Sequence, residues 1–273
     1  MSTVLITGTS TGIGLETALA AAAAGWTTVA TMRDPSRAGE LRERGGGLPL
    51  DVRRLDVTDD ASVAAAVTGV VADHGSLDAV VNNAGSGLVG TAETLGLDRF
   101  RSAMEVNFFG VVRVVQAALP HLRASHGRIL TVSSVGGVVG QPFNDAYCAA
   151  KFAVEGFLES LAPVAGALGV SVVVVEPGAV ASEFVANASV PAAVEDPYRE
   201  LLAAYLQRTA GAFADAQSAS EVGAILVDLL SASAPPFRVQ TTPRAAAFAG
   251  LKLADLDGSA VQALTRTWVS DAG

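Results

Sequence analysis

The chain has 273 residues, of which 50% are apolar and 16% charged, enough to bury a sizeable core and too apolar for intrinsic disorder. Its 27 acidic and 18 basic residues leave a net charge of −9, which repels phosphate backbones and argues against a nucleic-acid partner. One cysteine, Cys148, and three scattered histidines (His74, His121 and His126) exclude a disulfide framework and supply no zinc cluster, so no metal is expected. No basic, cleavable leader precedes the first apolar run, and no apolar stretch approaches the ~20 residues of a membrane span. A soluble, cytoplasmic protein with no transmembrane segment is expected.

Short runs rich in β-branched residues alternate with longer helical patterns. Val4–Thr7, Thr27–Met32, Val52–Asp56, Ala79–Asn82, Arg128–Ser133 and Ser171–Glu176 read as strands buried on both faces, with Phe237–Thr241 as a seventh. Helical periodicity covers Ile13–Ala24, Ala61–His74, Asp98–Ala124 and Ala146–Leu168, and Pro120 is expected to kink or end the third. This alternation predicts an α/β fold, a doubly wound parallel sheet with right-handed crossovers. Neither a repeat nor a linker divides the chain, so residues 1–273 read as one domain. Residues 182–215 read as a substrate loop or lid, and 235–273 as a C-terminal extension packed through Phe237, Phe248, Leu251, Leu253 and Trp268.

The first strand runs into Thr7-Gly8-Thr9-Ser10-Thr11-Gly12-Ile13-Gly14 and then a helix. The glycines differ in spacing from G-x-G-x-x-G but serve the same end, turning the chain so that a pyrophosphate meets the positive helix terminus. Gly8, Ser10, Thr11, Gly12, Ile13 and Gly14 are therefore candidate cofactor contacts. The same residues spell the G-x-S-x-G nucleophile elbow of a hydrolase. That triad needs a histidine towards the end of the chain, and the last one here is His126. Hydrolysis is excluded.

The second strand ends Met32-Arg33-Asp34, where dinucleotide folds carry either an acid for the ribose 2′-hydroxyl or an arginine for a 2′-phosphate. Arg33 favours NADP, with NAD as the alternative that Asp34 keeps open. Leu55-Asp56-Val57 and Asn82-Asn83-Ala84-Gly85 close the third and fourth strands on the same side of the sheet, and Asp56 suits an adenine amino group. The simpler reading of Asp56 and the asparagines is turn formation.

Ser133-Ser134 precedes Tyr147-Cys148-Ala149-Ala150-Lys151, in which Tyr147 and Lys151 stand at i and i+4 on one helix face. An ammonium beside a phenol favours phenolate and lowers the tyrosine pKa towards that of a useful general acid or base. Ser134 is placed to hydrogen-bond a substrate carbonyl, while Cys148, lacking a histidine partner, reads as a packed residue.

Together, Thr7–Gly14, Asn82–Gly85, Asn107, Ser134, Tyr147, Lys151 and Pro177-Gly178 resemble the short-chain dehydrogenase/reductase family. The stretches Ser134–Gly137 and Pro142–Gly156, with Phe237-Arg238 and Thr241-Thr242, are most similar to its estradiol-type 17β-hydroxysteroid and photoreceptor-retinol dehydrogenase branch. The resemblance implies a Rossmann-type domain with a seven-stranded parallel sheet, an NADP(H) cofactor, and assembly as a homodimer or homotetramer. It also implies carbonyl–alcohol interconversion on a small apolar substrate. Tyr147 would be the acid/base and Ser134 would hold the carbonyl oxygen. Lys151 would bind the nicotinamide ribose, and Asn107 would hold a relay water. Asp56, Val57, Asn83, Ala84, Gly85, Pro177, Gly178, Val180 and Ser182 would line the cofactor, with Ser182 standing where the family usually carries threonine. A 3-oxoacyl or polyketide ketoreductase and a non-catalytic dinucleotide sensor are the alternatives, and the 185–215 segment transfers no steroid contacts.

Overall fold

Strand residues that are apolar on both sides feed two helical layers at once, and this is what the chain builds. The computed structural model describes residues 1–182 and 197–269. Its strands are β1 (Thr3–Thr7), β2 (Thr27–Met32), β3 (Leu50–Arg54), β4 (Ala79–Asn82), β5 (Arg128–Val132), β6 (Ser171–Glu176), β7 (Val180–Ala181), β8 (Gln217–Ser218) and β9 (Arg238–Gln240). Seven of them form a parallel sheet in the order β3-β2-β1-β4-β5-β6-β9, while β7 and β8 pair separately. The first six helices are α1 (Gly12–Ala23), α2 (Gly39–Arg44), α3 (Asp60–His74), α4 (Leu97–Met104), α5 (Gly110–Ser125) and α6 (Asp145–Ala167).

Alternate strand residues divide between the layers. Leu5, Val80, Ile129 and Val172 pack with Val67 of α3, Val114 of α5 and Val154 of α6. Val4, Ile6, Val81, Leu130 and Val173 pack with Leu15 of α1 and with Leu226 and Leu230 of helix Ala219–Ser231. Each such side chain contributes about 1.5–3 kcal/mol on burial. The chain grows outward from β1 to β3, then returns to lay β4 on the other flank of β1. The carboxyl ends of β1 and β4 therefore flank the crevice at which the winding reverses, the place where open α/β sheets bind ligands.

Several boundaries differ from the sequence reading. Val52–Asp56 slides to Leu50–Arg54: the Asp56 N–H turns to Ser62 Oγ at 3.0 Å, which carries Asp56 out of the ladder. The fifth strand closes at Val132, and Ser134 caps the 3-10 turn Val135–Gly137 that follows. Asp98–Ala124 lies in one unbroken helical run, Leu97–Ser125, in which a π-turn at Glu105–Phe109 joins α4 to α5, and Pro120 does not end it. Packing of Val114, Val115, Ala118 and Leu122 against the sheet offsets the proline's missing donor.

Of the expected lid, residues 183–196 lie outside the described residues, and Tyr198–Ala214 is a helix. In the C-terminal extension Phe237, Phe248, Leu251 and Trp268 pack on the body, but Leu253 points to solvent. Among the described residues no helix is long and apolar enough to cross a membrane.

Candidate active site

The glycine-rich turn is built by close backbone approach. Gly8 sits at φ 71°, and a Cβ on Gly14 would stand 2.2 Å from the Gly8 carbonyl oxygen and 2.4 Å from Asn83 Nδ2. Only glycine fits there. Asn83 Nδ2 donates to the carbonyls of Thr7 (2.9 Å) and Gly8 (3.0 Å), so its side chain fastens the turn to the end of β4. Thr7 Oγ1 completes the tie by accepting from the N–H groups of Asn83 and Ala84, both at 3.0 Å. Sequence reasoning missed this role of Thr7, since nothing in a local motif announces a bond across 76 residues.

Ser10, Thr11, Gly12 and Ile13 are half-buried at the mouth of the crevice, and Gly12 faces Ser182. Thr11 caps α1 without a side-chain hydrogen bond, and the first turn carries no acid. By contrast, Asp59 caps α3 through the N–H groups of Ala61 and Ser62. Among the described residues, the donors that open α1 thus have no side-chain acceptor, and such an N-terminus suits an anion such as a dinucleotide pyrophosphate. The residues present fit that cofactor.

On the same side of the sheet Arg33 is exposed, just past the end of β2. Asp34 caps the 3-10 turn Pro35–Arg37, its Oδ1 accepting from the Ser36 N–H at 3.0 Å. That carboxyl is committed to the turn rather than to a ribose. Those Ser36 bonds, helped by the fields of Arg37 and Arg33, hold it below its ordinary pKa. Asp56 behaves as a turn residue, accepting from Thr58 N (3.0 Å) and Oγ1 (2.8 Å). Burial opposes its charge, yet the Thr58 bonds and the fields of Arg33 and Arg54 hold the carboxyl low. Val57 is buried beside it in the core.

Asn107 is fully buried within the π-turn. Its Oδ1 accepts from Ser86 N at 3.1 Å, and its Nδ2 donates to the carbonyls of Ser86 and Ala103 at 3.1 and 3.0 Å. Such π-turns concentrate at functional sites, and this one brings Asn107 under the end of β4. A Cβ on Gly85 would lie 2.9 Å from Asn107 Oδ1 and 3.9 Å from Lys151 Nζ, so these three groups meet. Ser86 was another omission of the sequence reading.

Ser134 Oγ accepts from Gly136 N at 3.0 Å and hydrogen-bonds Tyr147. Lys151 is buried, donates to the Val132 carbonyl at 2.9 Å, and lies 5.9 Å from the Tyr147 ring centre. Burial pushes the Tyr147 phenol up to about 12, against the Ser134 bond. Burial also brings Lys151 down to about 8, opposed by the charge of Glu155. The expected lowering of the tyrosine by lysine is not what sets its pKa here: desolvation of the phenolate dominates, and the Ser134 bond is what opposes it. Cys148 is buried, and burial raises its thiol to about 11, so it is inert packing. The carbonyl of Pro177 accepts from Val135 N at 3.0 Å, tying the Pro177-Gly178 turn to the Ser134 loop, and Val180 is buried in β7 just beyond.

The profile of the short chain dehydrogenase family matches residues 2–192. The chain belongs to that family. As a short-chain dehydrogenase it is an oxidoreductase acting on CH–OH groups. It is 39% identical to bovine (Bos taurus) retinol dehydrogenase 8 over 272 residues, covering 94% of this chain and 86% of the relative. It is likewise 39% identical to human 17-beta-hydroxysteroid dehydrogenase type 1 over 271 residues, covering 94% and 82%. Among solved structures, a short-chain dehydrogenase from Streptomyces avermitilis superposes with a TM-score of 0.81 at 28% identity over 97% of both chains. The alcohol dehydrogenase of Thermococcus sibiricus complexed with 5-hydroxy-NADP gives 0.73 at 25% identity over 88% and 95%.

Proposed function

We propose that this short-chain dehydrogenase is an NADP(H)-dependent enzyme that interconverts a carbonyl and an alcohol on an apolar substrate of the steroid, retinoid or ketone type. The observation that carries the reading is the Ser134–Tyr147 hydrogen bond with buried Lys151 one helical turn beyond, on the same carboxyl side of the sheet as the start of α1. When bound, the nicotinamide supplies or accepts the hydride. Tyr147, protonated across the neutral range, donates its phenolic proton to the carbonyl oxygen in reduction and takes it back in oxidation. Ser134 Oγ, now bonded to Tyr147, turns its proton to the same oxygen when substrate enters and stabilises the developing charge. Lys151 holds ribose hydroxyls and lends positive charge beside the phenol, while Asn107 fixes the loop after β4 and serves a water-borne proton relay. Arg33 faces solvent at the end of β2, suited to a 2′-phosphate.

The likeness to retinol and estradiol enzymes supports an apolar substrate. One domain is the reading for the whole chain. Exposed Phe152 and Val164 on α6, with Leu168 at its C-cap, support a homodimer or homotetramer, which light scattering checks. The deciding experiment is a panel of steroids, retinals, β-ketoacyl thioesters and simple aldehydes with NADPH and NADH. Consumption of NADPH with an apolar ketone or aldehyde is expected. Turnover confined to thioesters would move the assignment to a ketoreductase, and no turnover at all would leave a dinucleotide sensor.

A further inference from the structure

The turn that opens α6 is held in a conformation its own residues disfavour. Phe143 sits at φ 58°, a left-handed backbone that bulky side chains rarely adopt, yet it is buried among Val89, Leu202 and Tyr205. Asn144, next in the chain, is the N-cap of α6, where asparagine ordinarily accepts from the N–H groups two or three residues on. Here those groups belong to Ala146 and Tyr147, and Asn144 makes no such bond. Its Nδ2 donates instead to the Pro142 carbonyl at 2.9 Å and to the Tyr205 hydroxyl at 2.7 Å.

Tyr205 lies 61 residues further along the chain, buried in helix α7 (Tyr198–Ala214). Its ring stands 5.5 Å from that of Phe143, centre to centre. One side chain thus grips both the strained residue and its neighbour. Two further ties come from the segment after β4: Gly90 N donates to the Phe143 carbonyl at 2.7 Å, and Ala92 N to Asp145 Oδ2 at 2.9 Å. Strained backbone persists only where its surroundings over-determine it. The Asn144 carbonyl in turn accepts from Cys148 N at 2.7 Å, so the pose of this turn passes into the first turn of α6, whose third residue is Tyr147.

A phenylalanine at 205 would fill the same space and release Asn144 to cap the helix. The tyrosine hydroxyl therefore holds a geometry at the expense of a stabilising cap. We propose that Tyr205 is a positioning residue: by clamping Phe143 and Asn144 from α7 it fixes the start of α6, and with it the direction in which Tyr147 presents its hydroxyl beside Ser134. The proposal rests on the role given to Tyr147 under the proposed function.

The chain contains three tyrosines, Tyr147, Tyr198 and Tyr205, so protein labelled at tyrosine Cζ reports each ring by NMR without substrate or cofactor. In Tyr205→Phe the Tyr147 signal is expected to move while that of Tyr198 stays, and the urea midpoint should remain close to wild type as Asn144 turns back to cap α6. The single-turnover rate of NADPH consumption should fall about 3- to 10-fold, the scale of one lost hydrogen bond, with KM and NADPH affinity nearly unchanged. Tyr205→Leu removes the ring as well and should cost about 10²-fold, the scale of a misplaced catalytic group. Asn144→Ala breaks the same bond from its other end, and it decides the matter if the leucine variant does not fold. Adding Tyr205→Phe to Asn144→Ala should then cost nothing more. A Tyr147 signal unmoved in the folded variants, or additive losses in the double variant, overturns the proposal. So does a KM that rises with the single-turnover rate intact, since Tyr205 would then act on the substrate. If the Tyr147 signal moves and the rate does not, the clamp stands and the role assigned to Tyr147 in turnover fails.

Discussion

Replacing Thr7 by valine keeps the shape of the side chain and removes one oxygen, yet that oxygen accepts from two backbone donors. Both Asn83 N and Ala84 N lie 3.0 Å from Thr7 Oγ1, and Thr7 is 1% exposed. Leaving a buried donor unmade costs about 1–3 kcal/mol, so two bring about 2–6 kcal/mol. The donors themselves are only half-buried, and partial access to water holds the expected loss to about 2–3 kcal/mol. With a urea m-value of about 3 kcal/mol/M, the unfolding midpoint should drop by close to 1 M with m unchanged. Cofactor affinity should fall as well, because the same bonds hold the backbone at Asn83, whose side chain donates to the carbonyls of Thr7 and Gly8. The assay is urea unfolding followed by circular dichroism on wild type, Thr7→Val and Thr7→Ser, with NADPH binding measured on each. Serine retains the hydroxyl and should stay near wild type. Equal midpoints for all three proteins, or serine as damaging as valine, would refute the claim that the hydroxyl joins β1 to β4.

The other predictions concern the chemistry. Tyr147→Phe should lower kcat by about 10²–10⁴-fold with NADPH affinity nearly intact, and retention of more than about a tenth of kcat removes Tyr147 as the acid. Wild-type reduction should decline as pH rises through about 8, where Lys151 loses its proton, while Tyr147 stays protonated up to about 12. Lys151→Ala should weaken NADPH binding and carry that alkaline limb to higher pH in the residual activity; unchanged affinity and pH dependence would make Lys151 a purely structural cation. Arg33→Asp should weaken NADP(H) binding by roughly 10- to 100-fold and shift preference towards NAD, through loss of a charge-assisted contact and repulsion of a 2′-phosphate. A wild type that already prefers NAD would show that Arg33 serves solvent alone.

What the sequence determined by itself was local or periodic. Runs such as Thr27–Met32 and Ser171–Glu176 are strands because unbroken β-branched residues suit a sheet covered on both faces, and their bounds agree with the structure. The strand–glycine–helix turn, and Tyr147 with Lys151 on one helix face, follow from spacing alone. Tertiary structure decided everything that depends on a partner far along the chain. Pro120 continues a helix because sheet packing supports it, and the departure from α geometry falls instead at the π-turn Glu105–Phe109, where Asn107 bonds Ser86 and Ala103. Asp34 and Asp56 turned out to serve turns, since Ser36 and Thr58 lay within reach of their carboxylates. The direction in which Tyr147 and Lys151 titrate came from burial, which spacing cannot express. The cluster of Glu155, Glu176 and Arg238 assembles from α6, β6 and β9, and no window of sequence contains all three. Propensity and periodicity act through neighbours in the chain, whereas charge, desolvation and hydrogen bonding act through neighbours in space, and only the folded sheet makes those known.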